Sequence, residues 1–143
     1  MQNFSIRIIV LSSRADMVNG FKKTLRTANS IKLAHTCESS EELIGLLNKH
    51  DCDVLVLDYV SLAVDYKDNS QLFSYLSYQY PHLKIVALTT GQAAIIQFLM
   101  AQPVSAIVSK YDDIGHVITA IHTAYAKCDY MSPKIEAVLQ GIH

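Results

Sequence analysis

Groups able to do chemistry recur in this 143-residue chain at one kind of place, directly after runs of branched aliphatic residues. Ser12 and Ser13 follow SIRIIVL, Thr36 closes IKLAHT, and Asp58 closes DVLVLD. Thr89 and Thr90 close KIVALTT, and Lys110 follows VSAIVS. A carboxylate, several hydroxyls and an ammonium are the groups from which a nucleophile and its charge-neutralising partners are built. Each also has an ordinary reading. Asp58 alone is a strand-end carboxylate bonded to loop amides, Lys110 a surface lysine paired with Asp112 or Asp113, and the threonines turn formers.

What decides between these readings is whether the elements bring the groups together. An apolar run bounded by polar residues reads as a strand buried on both faces, the mark of a parallel sheet covered by helices. Asp53 to Val60 contains the clearest such run, ending at Asp58. Further strands are expected at Ser5 to Leu11, Ile31 to Thr36, Lys84 to Leu88 and Val104 to Ser109. Helices fall between them. Arg14 to Ala28 carries Met17, Val18, Phe21 and Leu25 on one stripe, and Ser39 with Glu42 makes a capping-box pattern ahead of Leu43, Ile44, Leu46 and Leu47. Tyr59 to Ser70 reads as irregular, Gln71 to Tyr80 as a helix ended by Pro81, and Gln92 to Ala101 as a helix stopped before Pro103. Asp112-Asp113 are expected to open a helix through Tyr125, and Pro133 to sit in the first turn of a last one reaching Gln140.

Five β-α units in alternation predict an α/β fold, a doubly wound five-stranded parallel sheet with helices on both faces. The flavodoxin-like strand order 2-1-3-4-5 places the crevice beyond the carboxyl ends of the strands. In that order Ser12, Ser13, Asp58, Thr89 and Lys110 surround one shallow pocket.

The totals narrow the classes. A formal charge of −1 gives no bulk attraction to nucleic acid or anionic lipid. The basic residues Lys22, Lys23, Arg26 and Lys32 read as a solvated face. Three cysteines, Cys37, Cys52 and Cys128, lie without paired spacing, which fits a reducing, cytoplasmic setting. No signal peptide and no membrane span is expected, since Ser5 and Arg7 interrupt the first apolar run. The histidines, His35, His50, His82, His116, His122 and His143, are scattered, and none is expected to ligate a metal. Without a Gly-rich phosphate loop, a nucleophile elbow or a Cys-His pattern, the chain does not read as an enzyme, and a flavin or other cofactor binder is the weakest alternative.

These residues resemble the receiver domain of bacterial two-component response regulators over nearly the whole chain. Asp58 matches that family's phosphoacceptor, Thr89 in VALTT its hydroxyl residue, and Lys110 in AIVSK its lysine. The closing YMSPKIEAVL is similar to the segment that leaves the receiver in the NarL/FixJ subfamily. The resemblance implies a receiver over residues 1–130. Residues 131–143 would be a closing helix and the start of a linker toward a DNA-binding domain absent from this chain, through which alone DNA would be reached. It also implies a sensor histidine kinase or other regulator protein as partner, homo- or heterodimers as the output, and transcriptional control.

The chain departs from the family in three places. Ser12 and Ser13 stand where an acidic pair helps hold Mg²⁺, leaving Asp58 and the backbone of Val60 as the ligands that remain. Ile107 stands where a switching aromatic is usual, and the loop after Asp58 lacks the usual Met-Pro; Asp65 or Asp68 could turn inward in its place. The expectation is an atypical receiver in which phosphorylation of Asp58 is impaired. The alternative is a phosphorylation-independent pseudo-receiver switched by a small ligand or a partner protein.

Overall fold

The computed structural model describes residues 5–28, 30–62 and 69–141. Asp65 and Asp68 lie outside the described residues. The strands are β1 (Ile6–Leu11), β2 (Ile31–Cys37), β3 (Val54–Asp58), β4 (Lys84–Thr89), β5 (Ala106–Ser109) and β6 (Tyr130–Met131). The helices are α1 (Ala15–Leu25), α2 (Ser40–Lys49), α3 (Tyr59–Leu62), α4 (Asn69–Gln79), α5 (Ala93–Met100), α6 (Gly115–Tyr125) and α7 (Pro133–Gln140). All pairings are parallel and the order is β2-β1-β3-β4-β5-β6, so the expected five-stranded order is present and is extended by a sixth strand.

β3 sits inside the sheet, where its run of four aliphatic residues is shielded from water. Val54, Leu55, Val56, Leu57 and Asp58 are all 0% exposed. Alternate side chains feed two cores. Val54 and Val56 join Ile8, Val10, Phe21 and Ile121 on one face, while Leu55 and Leu57 join Leu11, Leu43, Phe73 and Ile96 on the other. Two cores on a period of two are what a strand covered by helices on both sides produces.

Local signals act as the sequence suggests at several ends. Ser39 accepts the Glu42 N–H at 3.1 Å and starts α2. Pro133 occupies the first turn of α7. Two segments differ from expectation. Tyr59 to Leu62 forms a short helix, because Tyr59 is buried against Phe73 and Phe98, with ring centroids 6.3 and 5.9 Å away. The helix expected to open on Asp112-Asp113 begins at Gly115; the Asp112 carboxylate instead accepts the Lys134 N–H at 3.0 Å and ties down the start of α7.

β6 completes the sheet at its far edge. The Tyr130 N–H donates to the Ser105 carbonyl at 3.1 Å, and the Ser132 N–H to the Ile107 carbonyl at 3.1 Å. The Ser132 hydroxyl then accepts the Ser109 N–H at 2.9 Å, and Ile135 of α7 is fully buried in the second core.

Burial also settles the thiols. It pushes both Cys37 and Cys52 up to about 12, so they remain protonated at neutral pH, whereas Cys128 is exposed. An aromatic disulfide reagent at pH 8 is expected to modify Cys128 first in the folded protein, and Cys37 and Cys52 only on unfolding. Leu55→Ala, a cavity on a strand buried on both faces, is expected to lower stability by about 2–5 kcal/mol in urea titration.

Candidate functional site

β1, β3, β4 and β5 end side by side, and the site is built from the residues at and just past those ends. In register, Leu11 lies beside Leu57, Asp58 beside Leu88, and Thr89 beside Ser109. The residues one position beyond those pairs are Ser12, Thr89 and Lys110, so the order of the sheet brings to one edge the groups the sequence singles out. Thr89 is 1% exposed, and its carbonyl accepts the Lys110 N–H at 2.8 Å. Gly91, two residues on, holds φ +100°, a left-handed conformation that releases the chain from β4 toward α5.

Asp58 is a carboxylate with 0% exposure, and a carboxylate in that position must be met by donors. The Ser12 hydroxyl donates to its Oδ2 at 2.7 Å and also accepts the Arg14 N–H at 3.0 Å. Ser12 is thereby buried, while Ser13 is exposed. The turn made by Ser12 sets Arg14, which precedes α1 in an extended conformation and makes no side-chain cap to that helix. Its side chain turns back over the sheet edge. Arg14 Nε donates to Asp58 Oδ2 at 2.7 Å and Nη2 to Oδ1 at 3.0 Å, a two-pronged, charge-assisted pair. The Val60 N–H adds a bond to Oδ1 at 3.2 Å, held there by α3 and the buried Tyr59.

The sequence-derived residues therefore separate. Asp58 and Ser12 are in direct contact, and Thr89 lies buried one strand away. Lys110 is exposed, with its ammonium 5.1 Å from the centroid of the Tyr111 ring, a cation–π distance. The cation on Asp58 is Arg14, which the sequence pattern marks only as the start of a helical stretch. The sequence does carry a signal for it: Arg14 is the one basic residue between Ser12 and Lys22, and a buried carboxylate without neighbouring acids calls for a cation. Ile107 is 2% exposed in the second core, a packing residue of β5.

The Mg²⁺ implied by the resemblance does not fit this donor set. Among Ser12, Ser13 and Asp58 there is a single carboxylate, and both its oxygens accept from Arg14. The Val60 N–H, a donor, is bonded to the same carboxylate. Among the described residues no group of three or more His, Cys, Asp or Glu side chains could hold a metal. Beside Arg14, between α1 and α6, lies an open cleft of about 210 Å³ with Phe21, Leu88 and Val117 along it and Asp16, Lys110 and Asp112 at its polar edge.

No protein-family model and no curated protein sequence matches the chain. Solved structures match it by fold. The isolated REC domain of RcsB from Salmonella enterica serovar Typhimurium, in the presence of the phosphomimetic BeF3-, superposes with a TM-score of 0.82 at 21% identity, covering 94% of this chain and 98% of that one. The non-phosphorylated receiver domain of the stress response regulator RcsB from Escherichia coli gives 0.78 at 23% identity, covering 90% and 98%. RcsB dimers bound to two parallel DNAs give 0.82 at 21% identity, covering 95% of this chain and 68% of that one. The fold is that of response-regulator receivers. Among the described residues no helix is long and apolar enough to cross a membrane.

Removing Arg14 leaves the fully buried Asp58 without its ion-pair partner. Arg14→Ala is expected to cost about 3 kcal/mol at neutral pH, the low end for a broken buried pair because the Arg14 side chain is 26% exposed. Urea unfolding would measure it, and Arg14→Ala/Asp58→Asn should regain most of the loss.

Proposed function

We propose that this chain is a receiver-type signalling module that works without phosphorylation: a pseudo-receiver whose output is contact with another protein. It is not an enzyme. The observation that carries the reading is the Arg14 fork on the 0%-exposed carboxylate of Asp58. In-line attack on a phosphodonor needs an oxygen lone pair that the donor can approach and positive charge around the transferring group. Here both oxygens already accept bonds from a cation of the same chain, and no part of the side chain meets solvent. The alternative, an impaired but phosphorylatable receiver, requires Arg14 to leave and a metal to be held without the acidic pair.

The remaining groups of the site suit a module that keeps receiver architecture while its switch is idle. Thr89 stays buried beside the acceptor, and Lys110 is turned to Tyr111. Partners in this reading are proteins: a second copy, a related regulator or a kinase-linked component in the cytoplasm. The comparison with RcsB dimers on DNA supports transcription as the process served, with DNA contacted by a domain outside this chain. A small ligand as input is the second form of the same reading, and the cleft between α1 and α6 beside Arg14 is the place for it.

The test is phosphotransfer. With radiolabelled acetyl phosphate and Mg²⁺, Asp58 is expected to remain unlabelled over times that saturate an ordinary receiver, and Asp58→Asn should leave partner binding in a pull-down or sedimentation assay unchanged. Stoichiometric labelling of Asp58 would make the protein a conventional phospho-switch.

A further inference from the structure

The mismatch between the implied metal and the donors at Asp58 has a specific cause, and it lies in one residue. We infer that Arg14 is the resident cation of this pocket and decides that it takes no divalent metal. The inference rests on reading the chain as a receiver-type module, but it concerns which cation the pocket admits, not what the module signals to.

Three observations support it. The first is charge. Among the described bonds Asp58 meets one guanidinium, one hydroxyl and one backbone N–H, so the charge of the carboxylate is matched by that of Arg14. Mg²⁺ dehydrates reluctantly and is held by carboxylates together with waters and phosphate oxygens. Entering here, it would leave a doubly charged ion on one carboxylate with a displaced guanidinium beside it.

The second is space. Nε lies 2.7 Å from Oδ2 and Nη2 3.0 Å from Oδ1. Oδ2 also accepts from the Ser12 hydroxyl and Oδ1 from the Val60 N–H, so each oxygen already accepts two bonds. A Mg²⁺ ion at its usual distance of about 2.0–2.1 Å on the side of the fork would sit within the guanidinium's own contact radius. On that side metal and Arg14 exclude one another.

The third is anchoring. Arg14 is no loose surface side chain that drifted to the acid. Its N–H is held by the same Ser12 hydroxyl that donates to Asp58, and its carbonyl accepts the Val18 N–H at 3.1 Å in the first turn of α1. An aspartate at position 12 would remove the hydroxyl that donates to Oδ2 and place a second carboxylate beside the first. Ser12 and Arg14 thus form one device, with the serine completing what the arginine neutralises.

Restoring acids at positions 12 and 13 is therefore insufficient to make the pocket bind metal while Arg14 remains. The probe is Mn²⁺ alone, read by paramagnetic broadening of backbone amides near residues 12–14 and 58–60 in the ¹⁵N-labelled chain. The unmodified protein is expected to show no saturable broadening there. Ser12→Asp/Ser13→Asp should bind at least tenfold more weakly, about 1.4 kcal/mol, than the same variant carrying Arg14→Ala. With Arg14→Lys in its place, a point charge without the fork, the affinity should fall between the two. Saturable broadening around Asp58 in the unmodified chain overturns the inference, and that arm needs no variant to fold. Equal Mn²⁺ affinity with and without Arg14, or no binding in the triple variant, also overturns it. Acetyl phosphate labelling, which tests the signalling reading, is unaffected by these outcomes. If Ser12 and Ser13 alone exclude metal, the pseudo-receiver stands and only the role of Arg14 falls.

Discussion

The structure turns on a carboxylate at the end of a strand that water does not reach. β3 is buried from Val54 to Asp58, and an ionised group there is tolerated only if donors replace its lost hydration. Arg14 supplies two of them and the opposite charge, Ser12 a hydroxyl, and Val60 a backbone N–H. Removing one partner of such a set leaves an uncompensated buried charge, an effect far larger than that of surface ion pairs. The pairs of Arg7 with Asp51 and Asp53, at the opposite end of the strands, show the contrast. They are 3.4 and 3.5 Å long, and the Arg7 side chain is 45% exposed.

Everything around Asp58 serves to hold those donors in place. The parallel pairing of β1 with β3 brings Ser12 beside Asp58, and the Ser12 N–H is itself fixed by the Cys37 carbonyl at 2.9 Å. The turn at Ser12 delivers Arg14. On the other side Tyr59, wedged against Phe73 and Phe98, winds the chain into α3 and presents the Val60 N–H. One hydroxyl and one aromatic cluster thus orient the cation and the amide that satisfy the acid. A sheet edge built this way keeps its shape without metal or phosphate, as the proposed protein-contact module requires.

Much of the fold is legible in the sequence because its signals are local and agree with one another. Aliphatic runs mark the buried strands, stripes at Met17, Phe21 and Leu25 or at Val117 and Ile121 mark helix faces, and Ser39 and Pro133 mark helix starts. Asp58 is legible as a candidate because it ends the most apolar of those runs. What is not legible depends on contacts between distant segments. β6 is two residues long and exists through backbone bonds to Ser105 and Ile107. α3 exists because Tyr59 finds Phe98. Asp112 reads as a helix opener, yet a tertiary partner, the Lys134 N–H, takes its carboxylate. Arg14 is the most consequential omission: at the head of an amphipathic stretch an arginine looks like any solvated residue. A buried acid calls for a cation, and the fold shows that Arg14, 44 residues away, is the one that meets it.

Arg14 and Asp58 act as one unit, and a double-mutant cycle of Arg14→Ala and Asp58→Asn, read by urea unfolding at neutral pH, tests their coupling most directly. The predicted coupling energy is about 2 kcal/mol in favour of the native pair. Effects that add to within about 0.5 kcal/mol would show the two residues to be independent and would contradict it.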